Sequence, residues 1–171
     1  TTTTSLAAHI LVDLGLDPGF LIGGIARNFN SNFRVGQGDW FVVEGDEYDT
    51  AYFDKTPKFF KYGARTLIFT SLEFDHADIY ADLAAIRDQF AKLIEGLPAD
   101  GLLIACSDDE NVRGLLSLAP CRVLRYGFGP EADCRLSGWR AEGEQAHFTL
   151  RQPAGTREWQ SPMAGRHNAL N

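Results

Sequence analysis

The sequence has few cysteines, no long apolar run and no excess of positive charge. Its three cysteines, Cys106, Cys121 and Cys134, include no C-x-x-C pair. They therefore predict reduced thiols of a cytoplasmic protein and argue against a disulfide framework or a zinc site. No stretch approaches the roughly 18–20 apolar residues that span a bilayer, and the N-terminus lacks the basic start of a signal peptide. The net charge of −7 disfavours nucleic acid or a membrane surface as a partner.

Helices and apolar strands alternate over the first two thirds of the 171 residues. The predicted helices cover residues 1–14, 78–97 and 109–119, and the predicted strands cover residues 20–24, 40–44, 66–72 and 101–107. Continuous rather than alternating hydrophobicity is typical of parallel strands that are covered on both faces. After about Cys121 the pattern alternates between Gly and Pro turns, which favours antiparallel strands. The sequence predicts an α/β fold with a doubly wound, mostly parallel sheet and a small antiparallel patch near the C-terminus.

Acidic residues crowd at the exits of two of these strands. Glu44 follows the run WFVV, and more carboxylates come directly after it. His76 stands among carboxylates in SLEFDHADIY, after the strand TLIF. Because ligands of open α/β sheets bind at the carboxyl ends of strands, the two exits together predict a shared divalent-metal site. The alternative for Glu44 is a solvated acidic loop. Asp78 is predicted to be the N-cap of the helix that follows.

Polar residues at the two ends of the chain fit ligand roles less specifically. The threonines at positions 1–4 match the end of G-x-x-x-x-G-K-[ST], whose glycines and lysine are not in this sequence. In that motif the hydroxyl ligates Mg²⁺ and the helix start receives phosphate. In GRHNALN, the side chains of His167, Asn168 and Asn171 lie on one side of a predicted helix start, where capping is the alternative role.

Taken together, these segments resemble the central, ATP-binding domain of the Mur ligases over essentially residues 1–171. That domain opens with G-T-H-G-K-T-T-T, so the resemblance places Thr1 and Thr2 directly after the motif lysine, in the nucleotide site, with Thr1 on Mg²⁺. VVEGDEYD resembles the metal-binding glutamate motif and assigns an Mg²⁺ ligand role to Glu44. SLEFDHADIY resembles the D-H-x-D stretch, which makes His76 a ligand of a second Mg²⁺.

The same resemblance assigns the C-terminal segment to the nucleotide. GRHNALN is similar to the segment that closes the central domain, which puts His167, Asn168 and Asn171 in the nucleotide site. It also suggests that residues 28–36 form a loop facing the muramoyl substrate, with an ordinary polar connection as the alternative.

The resemblance implies ATP and Mg²⁺ as cofactors and Glu44 and His76 as catalytic residues. In this family a substrate carboxylate attacks the γ-phosphate of ATP, and an amine then displaces phosphate from the acyl phosphate. EGDEYDTAYFDK and EFDHADIY look most like the members that join UDP-N-acetylmuramate to L-alanyl-γ-D-glutamyl-meso-diaminopimelate in peptidoglycan recycling. The alternatives are the members that add L-alanine and a non-catalytic nucleotide-binding module. Both ends look cut, so we expect the chain alone, without the motif lysine and flanking domains, to be inactive.

Overall fold

The computed structural model describes residues 1–46, 48–73 and 82–171. They divide into two compact units, Thr1–Glu47 with Asn171, and Tyr48–Leu170. Within the described residues, no helix is both long enough and apolar enough to cross a membrane.

The first unit is a three-stranded sheet with one helix packed on it. Its elements are α1 (Thr2–Asp13), β1 (Gly19–Ala26), β2 (Ser31–Arg34) and β3 (Phe41–Val43). Strand β1 lies in the centre, antiparallel to β2 and parallel to β3. Ala8 of α1 packs on Phe20 and Ile22 of β1, and all three side chains are buried. Burial of this face stabilises α1, since a short helix that starts with β-branched residues is marginal by itself.

The segment of residues 28–36 corrects one expectation, because a strand occupies its centre. Ser31–Arg34 form β2, and Phe33 and Arg34 pair with Leu21 and Phe20 of β1. Asn30 has a φ of 49°, a left-handed conformation that Asn adopts more readily than most residues, and it reverses the chain between the strands. The expectation of a loop or polar connection throughout was wrong because backbone pairing does not require an apolar sequence.

Two glycines hold the end of β2 against the start of β1. The Gly38 N–H donates to the carbonyl of Asp17 at 2.9 Å. The Asp17 carboxylate accepts hydrogen bonds from the Arg34 guanidinium and from the N–H of Gln37. Gly36 also lies against this turn, and a Cβ there would stand 2.2 Å from the Asp17 carbonyl oxygen. The close backbone approach explains why glycine occupies both positions.

The second unit contains a six-stranded sheet and a separate hairpin. The hairpin strands are β4 (Asp49–Ala51) and β5 (Asp54–Pro57). The sheet strands are β6 (Thr66–Phe69), β7 (Leu102–Cys106), β8 (Arg122–Gly127), β9 (Cys134–Glu142), β10 (Gln145–Gln152) and β11 (Gly155–Ser161). The helices are α2 (Leu83–Glu95), α3 (Glu110–Arg113) and the 3₁₀ helices Lys58–Lys61, Leu116–Leu118 and Arg166–Ala169.

The six-stranded sheet has the order β11-β10-β9-β8-β7-β6. Strands β6 to β9 pair in parallel, and β9 to β11 pair antiparallel. This confirms the mixed α/β fold, and the antiparallel patch continues the parallel sheet. The core joins α2 to the parallel strands through buried side chains that include Phe69, Ile86, Ile94 and Leu103.

Three helices of the second unit begin or end at other residues than the sequence predicts. Helix α2 begins at Leu83, and the Asp82 carboxylate accepts the Ala85 N–H at 2.9 Å as its N-cap. Asp78, the predicted cap, lies outside the described residues. The helix predicted over residues 109–119 is interrupted at Gly114, which follows α3 directly. The predicted C-terminal helix is the single 3₁₀ helix Arg166–Ala169.

Sequence reasoning missed the hairpin β4–β5 because it treated the acidic segment as one loop. The hairpin is held by Asp54, whose carboxylate accepts from the N–H and the hydroxyl of Thr56 and pairs with Lys61 at 2.8 Å. The hydrogen bond from Lys61, followed by those from Thr56, lowers the pKa of Asp54 to about 2.

We expect carboxyl-carbon NMR to record an Asp54 midpoint near pH 2. Because the folded pKa lies below the usual value of 3.8, the ion pair is intact above that value and is lost as pH falls through about 2. Replacing Lys61 with Gln should move the midpoint toward 3.8. An Asp54 midpoint near 3.8 in the unchanged protein would contradict the described hairpin.

Candidate functional site

The clearest polar site of the first unit gathers around Glu44 at the end of β3. Glu44 Oε1 accepts the Thr1 hydroxyl at 2.7 Å, and Oε2 accepts the N–H of Gly23 at 2.7 Å. The nitrogen of Thr1 also lies 2.9 Å from Oε1. The parallel pairing of β1 with β3 positions Gly23, since Leu21 stands opposite Val43 and accepts the N–H of Glu44. The fold therefore brings two of the three predicted metal ligands, Thr1 and Glu44, into direct contact.

Gly23 is a part of this site that sequence reasoning missed. A Cβ at position 23 would stand 2.8 Å from Glu44 Oε2, closer than real Cβ atoms approach an oxygen. A Cβ at Gly24 would meet only the Thr1 methyl group, at an ordinary 3.7 Å. The pair of glycines in FLIGG is a weak signal for this role, because a glycine at the end of an apolar strand has several uses.

The environment of Glu44 favours its charged form. Partial burial acts to raise the pKa of Glu44, but the hydrogen bonds that its carboxylate accepts, including those from the Thr1 hydroxyl and the Gly23 N–H, keep the pKa below the usual value of 4.5. Glu44 is therefore a carboxylate at neutral pH, with about a quarter of its side chain exposed.

The donors of this site fit Mg²⁺ better than zinc. Carboxylate and hydroxyl oxygens are hard ligands, and Mg²⁺ binds through one or two carboxylates while it keeps waters or substrate phosphates. Among the described residues, no three His, Cys, Asp or Glu side chains form a group that could hold a metal ion by themselves. Helix α1 begins at Thr2, and the Thr1 hydroxyl bonds to Glu44 without capping this helix. The N–H groups of a helix start favour phosphate.

The other predicted site residues fall in different places. Thr2 is exposed in the first turn of α1, and Asn171 accepts the hydroxyl of Thr3 at 2.9 Å within the first unit. His167 and Asn168 belong to the second unit, on the 3₁₀ helix Arg166–Ala169. The Asn168 side-chain amide donates to the carbonyl of Ala164 at 2.6 Å. His76 lies outside the described residues, so its metal role stays a prediction.

A second polar groove, also missed from the sequence, lies at the carboxyl ends of β7 and β8 in the second unit. The Asp108 carboxylate accepts the N–H groups of Phe128 and Gly129 at 2.7 and 2.9 Å. The Arg166 guanidinium lies 4.1 Å from the centre of the Phe128 ring, a cation–π contact. The paired aspartates after an apolar strand, Asp108 and Asp109, were the available signal.

Comparisons with known proteins agree on the family. The model of the Mur ligase middle domain matches residues 1–171. The UDP-N-acetylmuramate–L-alanyl-γ-D-glutamyl-meso-2,6-diaminoheptandioate ligase of Haemophilus influenzae is 38% identical over 177 residues, covering 100% of this chain and 37% of that protein. The UDP-N-acetylmuramate–L-alanine ligase of Stenotrophomonas maltophilia is 39% identical over 173 residues, covering 100% of this chain and 35% of that protein.

A comparison with a solved structure also indicates the Mur ligase family. The crystal structure of UDP-N-acetylmuramate:L-alanyl-γ-D-glutamyl-meso-diaminopimelate ligase from Neisseria meningitides superimposes with a TM-score of 0.84 and is 35% identical. The match covers 99% of this chain and 54% of that chain. The chain therefore spans little more than a third of the two curated relatives and about half of this structure. It belongs to the Mur ligase family, as a middle domain.

Proposed function

We propose that the complete protein is an ATP- and Mg²⁺-dependent ligase that joins UDP-N-acetylmuramate to L-alanyl-γ-D-glutamyl-meso-diaminopimelate by an amide bond. The contact of Thr1 and Gly23 with the Glu44 carboxylate is the observation that carries this proposal. It joins a hydroxyl, a charged carboxylate and a helix start, which together suit a cation and a phosphate chain.

In the proposed reaction, Glu44 and Thr1 hold Mg²⁺ and the first N–H groups of α1 face phosphate oxygens. When bound, Mg²⁺ reduces the repulsion between the substrate carboxylate and the triphosphate and stabilises charge that develops during phosphoryl transfer. Gly23 keeps the Glu44 carboxylate in one orientation. His76 is the proposed ligand of a second Mg²⁺, and Thr2, His167, Asn168 and Asn171 are proposed to contact the nucleotide.

The tripeptide is the preferred acceptor, and L-alanine is the second candidate. The relatives described above include ligases named for each acceptor at nearly equal identity. The segment EGDEYDTAYFDK favours the tripeptide, because it resembles the tripeptide-adding members more than the alanine-adding ones.

The experiment that tests the proposal follows ADP release by the full-length protein with UDP-N-acetylmuramate, Mg²⁺ and either acceptor. We expect turnover with the tripeptide and a loss of about 100- to 1,000-fold in kcat when Glu44 is replaced by Ala, the range for removal of a group that stabilises transition-state charge. The variant His76→Ala should lose activity similarly. Glu95, an exposed carboxylate on α2, provides the control variant Glu95→Ala, which should keep full activity.

The possible results separate the candidates. Turnover with L-alanine alone would favour the second acceptor and keep the ligase. If neither the tripeptide nor L-alanine causes ADP release, the proposal is wrong. Unchanged activity in Glu44→Ala would also overturn it.

A further inference from the structure

The 3₁₀ helix Arg166–Ala169 carries two residues that are proposed to contact the nucleotide, His167 and Asn168. Its four residues make one short turn, and 3₁₀ hydrogen bonds have poorer geometry than those of an α-helix. All four residues are at least partly exposed, so burial contributes little to their placement. The position of this turn therefore depends on specific side-chain contacts.

Contacts within the turn set its shape. The Asn168 N–H donates to the carbonyl of Gly165 at 3.0 Å, and the Asn168 side-chain amide donates to the carbonyl of Ala164 at 2.6 Å. Gly165 has a φ of 105°, and a Cβ there would stand 2.7 Å from the His167 ring. These contacts all lie within residues 164–168, so they do not fix where the turn lies on the second unit.

Arg166 connects the turn to the carboxyl end of the parallel sheet. Its guanidinium carbon lies 4.1 Å from the centre of the Phe128 ring, well within the roughly 6 Å over which a cation–π contact is attractive. Phe128 follows β8 directly and therefore belongs to a different part of the chain. Because Arg166 directly precedes His167, a contact that fixes the guanidinium also restricts the backbone that carries the imidazole.

A carboxylate fixes the loop that carries the Phe128 ring. The two oxygens of Asp108 accept the N–H groups of Phe128 and Gly129, at 2.7 and 2.9 Å. Hydrogen bonds to a charged acceptor are stronger than those between neutral groups. A Cβ at Gly127 would stand 2.5 Å from Asp108 Oδ1, so only glycine permits this close approach.

Asp108 itself starts from an ordered backbone. Strands β7 and β8 pair in register up to Cys106, which stands opposite Tyr126. The N–H and the hydroxyl of Ser107, a buried residue, both donate to the carbonyl of Tyr126, at 2.8 and 3.2 Å. Asp108 is the next residue, so a continuous set of contacts joins the sheet to the turn that carries His167.

From these contacts we infer that Asp108 and Phe128 are positioning residues for the nucleotide. Asp108 fixes the Phe128 ring, and the ring fixes Arg166 so that the turn offers its next two side chains to the nucleotide. This inference rests on the proposed function and adds residues that act without touching the ligand. Without the ring, the turn spends a smaller fraction of time in its binding conformation, and the apparent affinity falls by that fraction.

The test measures ADP binding to the full-length protein with Mg²⁺ by calorimetry, and the KM for ATP by steady-state kinetics. Phe128→Leu keeps an apolar side chain but removes the ring face. We expect it to weaken ADP binding and raise the KM for ATP about two- to fivefold, the range for an exposed cation–π contact. Asp108→Ala should have an effect of the same size because it acts through the same ring. In both variants, kcat at saturating ATP and the KM for UDP-N-acetylmuramate should be unchanged.

A double-mutant cycle shows whether the ring acts through Arg166. Arg166→Ala should weaken ADP binding by itself, and Arg166→Ala combined with Phe128→Leu should bind ADP no more weakly than the weaker single variant. Phe128→Tyr retains an aromatic face and should keep the affinity of the unchanged protein. Losses that multiply in the double variant would show that the two side chains act independently, which would contradict the inference.

A matched control separates this effect from a general loss of charge or stability. Arg157→Ala removes an exposed guanidinium on β11 and should bind ADP like the unchanged protein. Circular dichroism verifies that every variant is folded. If Phe128→Leu and Asp108→Ala lower the melting temperature but leave ADP binding and the KM for ATP unchanged, these residues support only the fold and the inference is wrong.

Failure of the inference is distinct from failure of the proposed function. If the unchanged protein turns over the tripeptide and all variants bind ADP equally, the inference is wrong and the ligase remains. If Phe128→Leu lowers kcat and leaves the KM for ATP unchanged, the ring does not position the nucleotide, and the inference is again wrong. An unchanged protein that neither binds ADP nor turns over either acceptor would overturn both.

Discussion

Replacing Gly38 with alanine should lower the free energy of unfolding by about 3 kcal/mol, the upper part of the range for overpacking. A Cβ at position 38 would stand 1.9 Å from the carbonyl oxygen of Leu16 and 3.0 Å from that of Asp17. Both atoms are backbone, so no side chain can move aside. The hydrogen bond from the Gly38 N–H to Asp17 fixes the two segments at this separation. Urea denaturation followed by circular dichroism would measure the change.

Gly45 provides the matched control for that measurement. It is exposed, its φ is outside the left-handed region, and a Cβ there would meet nothing within 4 Å. The variant Gly45→Ala should therefore match the unchanged protein or exceed its stability slightly, since alanine restricts the unfolded chain. Equal stability of Gly38→Ala and Gly45→Ala would show that the backbone of Gly38 does not lie as close to Leu16 and Asp17 as described.

Most of the fold could be predicted from the pattern of apolar residues, because burial of apolar side chains determines where those helices and strands form. The strands around Phe20, Val42, Ile68 and Ile104 lie within one to three residues of their predicted ends. Elements that depend on backbone pairing rather than burial were missed. Strand β2 carries Ser and Asn, and the hairpin β4–β5 is rich in charged residues, so neither has an apolar signature.

Of the site around Glu44, the sequence predicted the residues that contribute side chains and missed the residue that contributes its backbone. Thr1 and Glu44 carry the functional groups that the resemblance assigned, and the structure brings them together. Gly23 contributes a backbone N–H group and the space left by its missing side chain. The sequence shows only that the residue is glycine, which does not reveal either contribution. Pairing of β1 with β3 decides which glycine lies against Glu44, and this register follows from tertiary structure.

The role of Gly23 leads to the second large effect, which concerns activity. In the full-length protein, Gly23→Ala should reduce kcat/KM about 100-fold, the cost typical of misplacing a reacting group by about 1 Å. The new Cβ would stand 2.8 Å from Glu44 Oε2, so the carboxylate must turn away from both the Gly23 N–H and the Thr1 hydroxyl. The Mg²⁺ concentration for half-maximal activity should rise about 10- to 100-fold, as for the loss of other groups that orient metal ligands.

Two further variants decide whether this loss comes from the position of the carboxylate. Gly24→Ala adds the same methyl group one residue later, where it meets only the Thr1 methyl at 3.7 Å, and should retain activity. Glu44→Asp shortens the side chain and makes room for a Cβ at position 23, so the double variant Gly23→Ala with Glu44→Asp should lose less than the two single losses combined. Mn²⁺ binding in the presence of ADP, followed by electron paramagnetic resonance, gives a readout that does not depend on turnover. If Gly23→Ala binds the metal as tightly as Gly24→Ala, then Gly23 does not position the carboxylate for the cation.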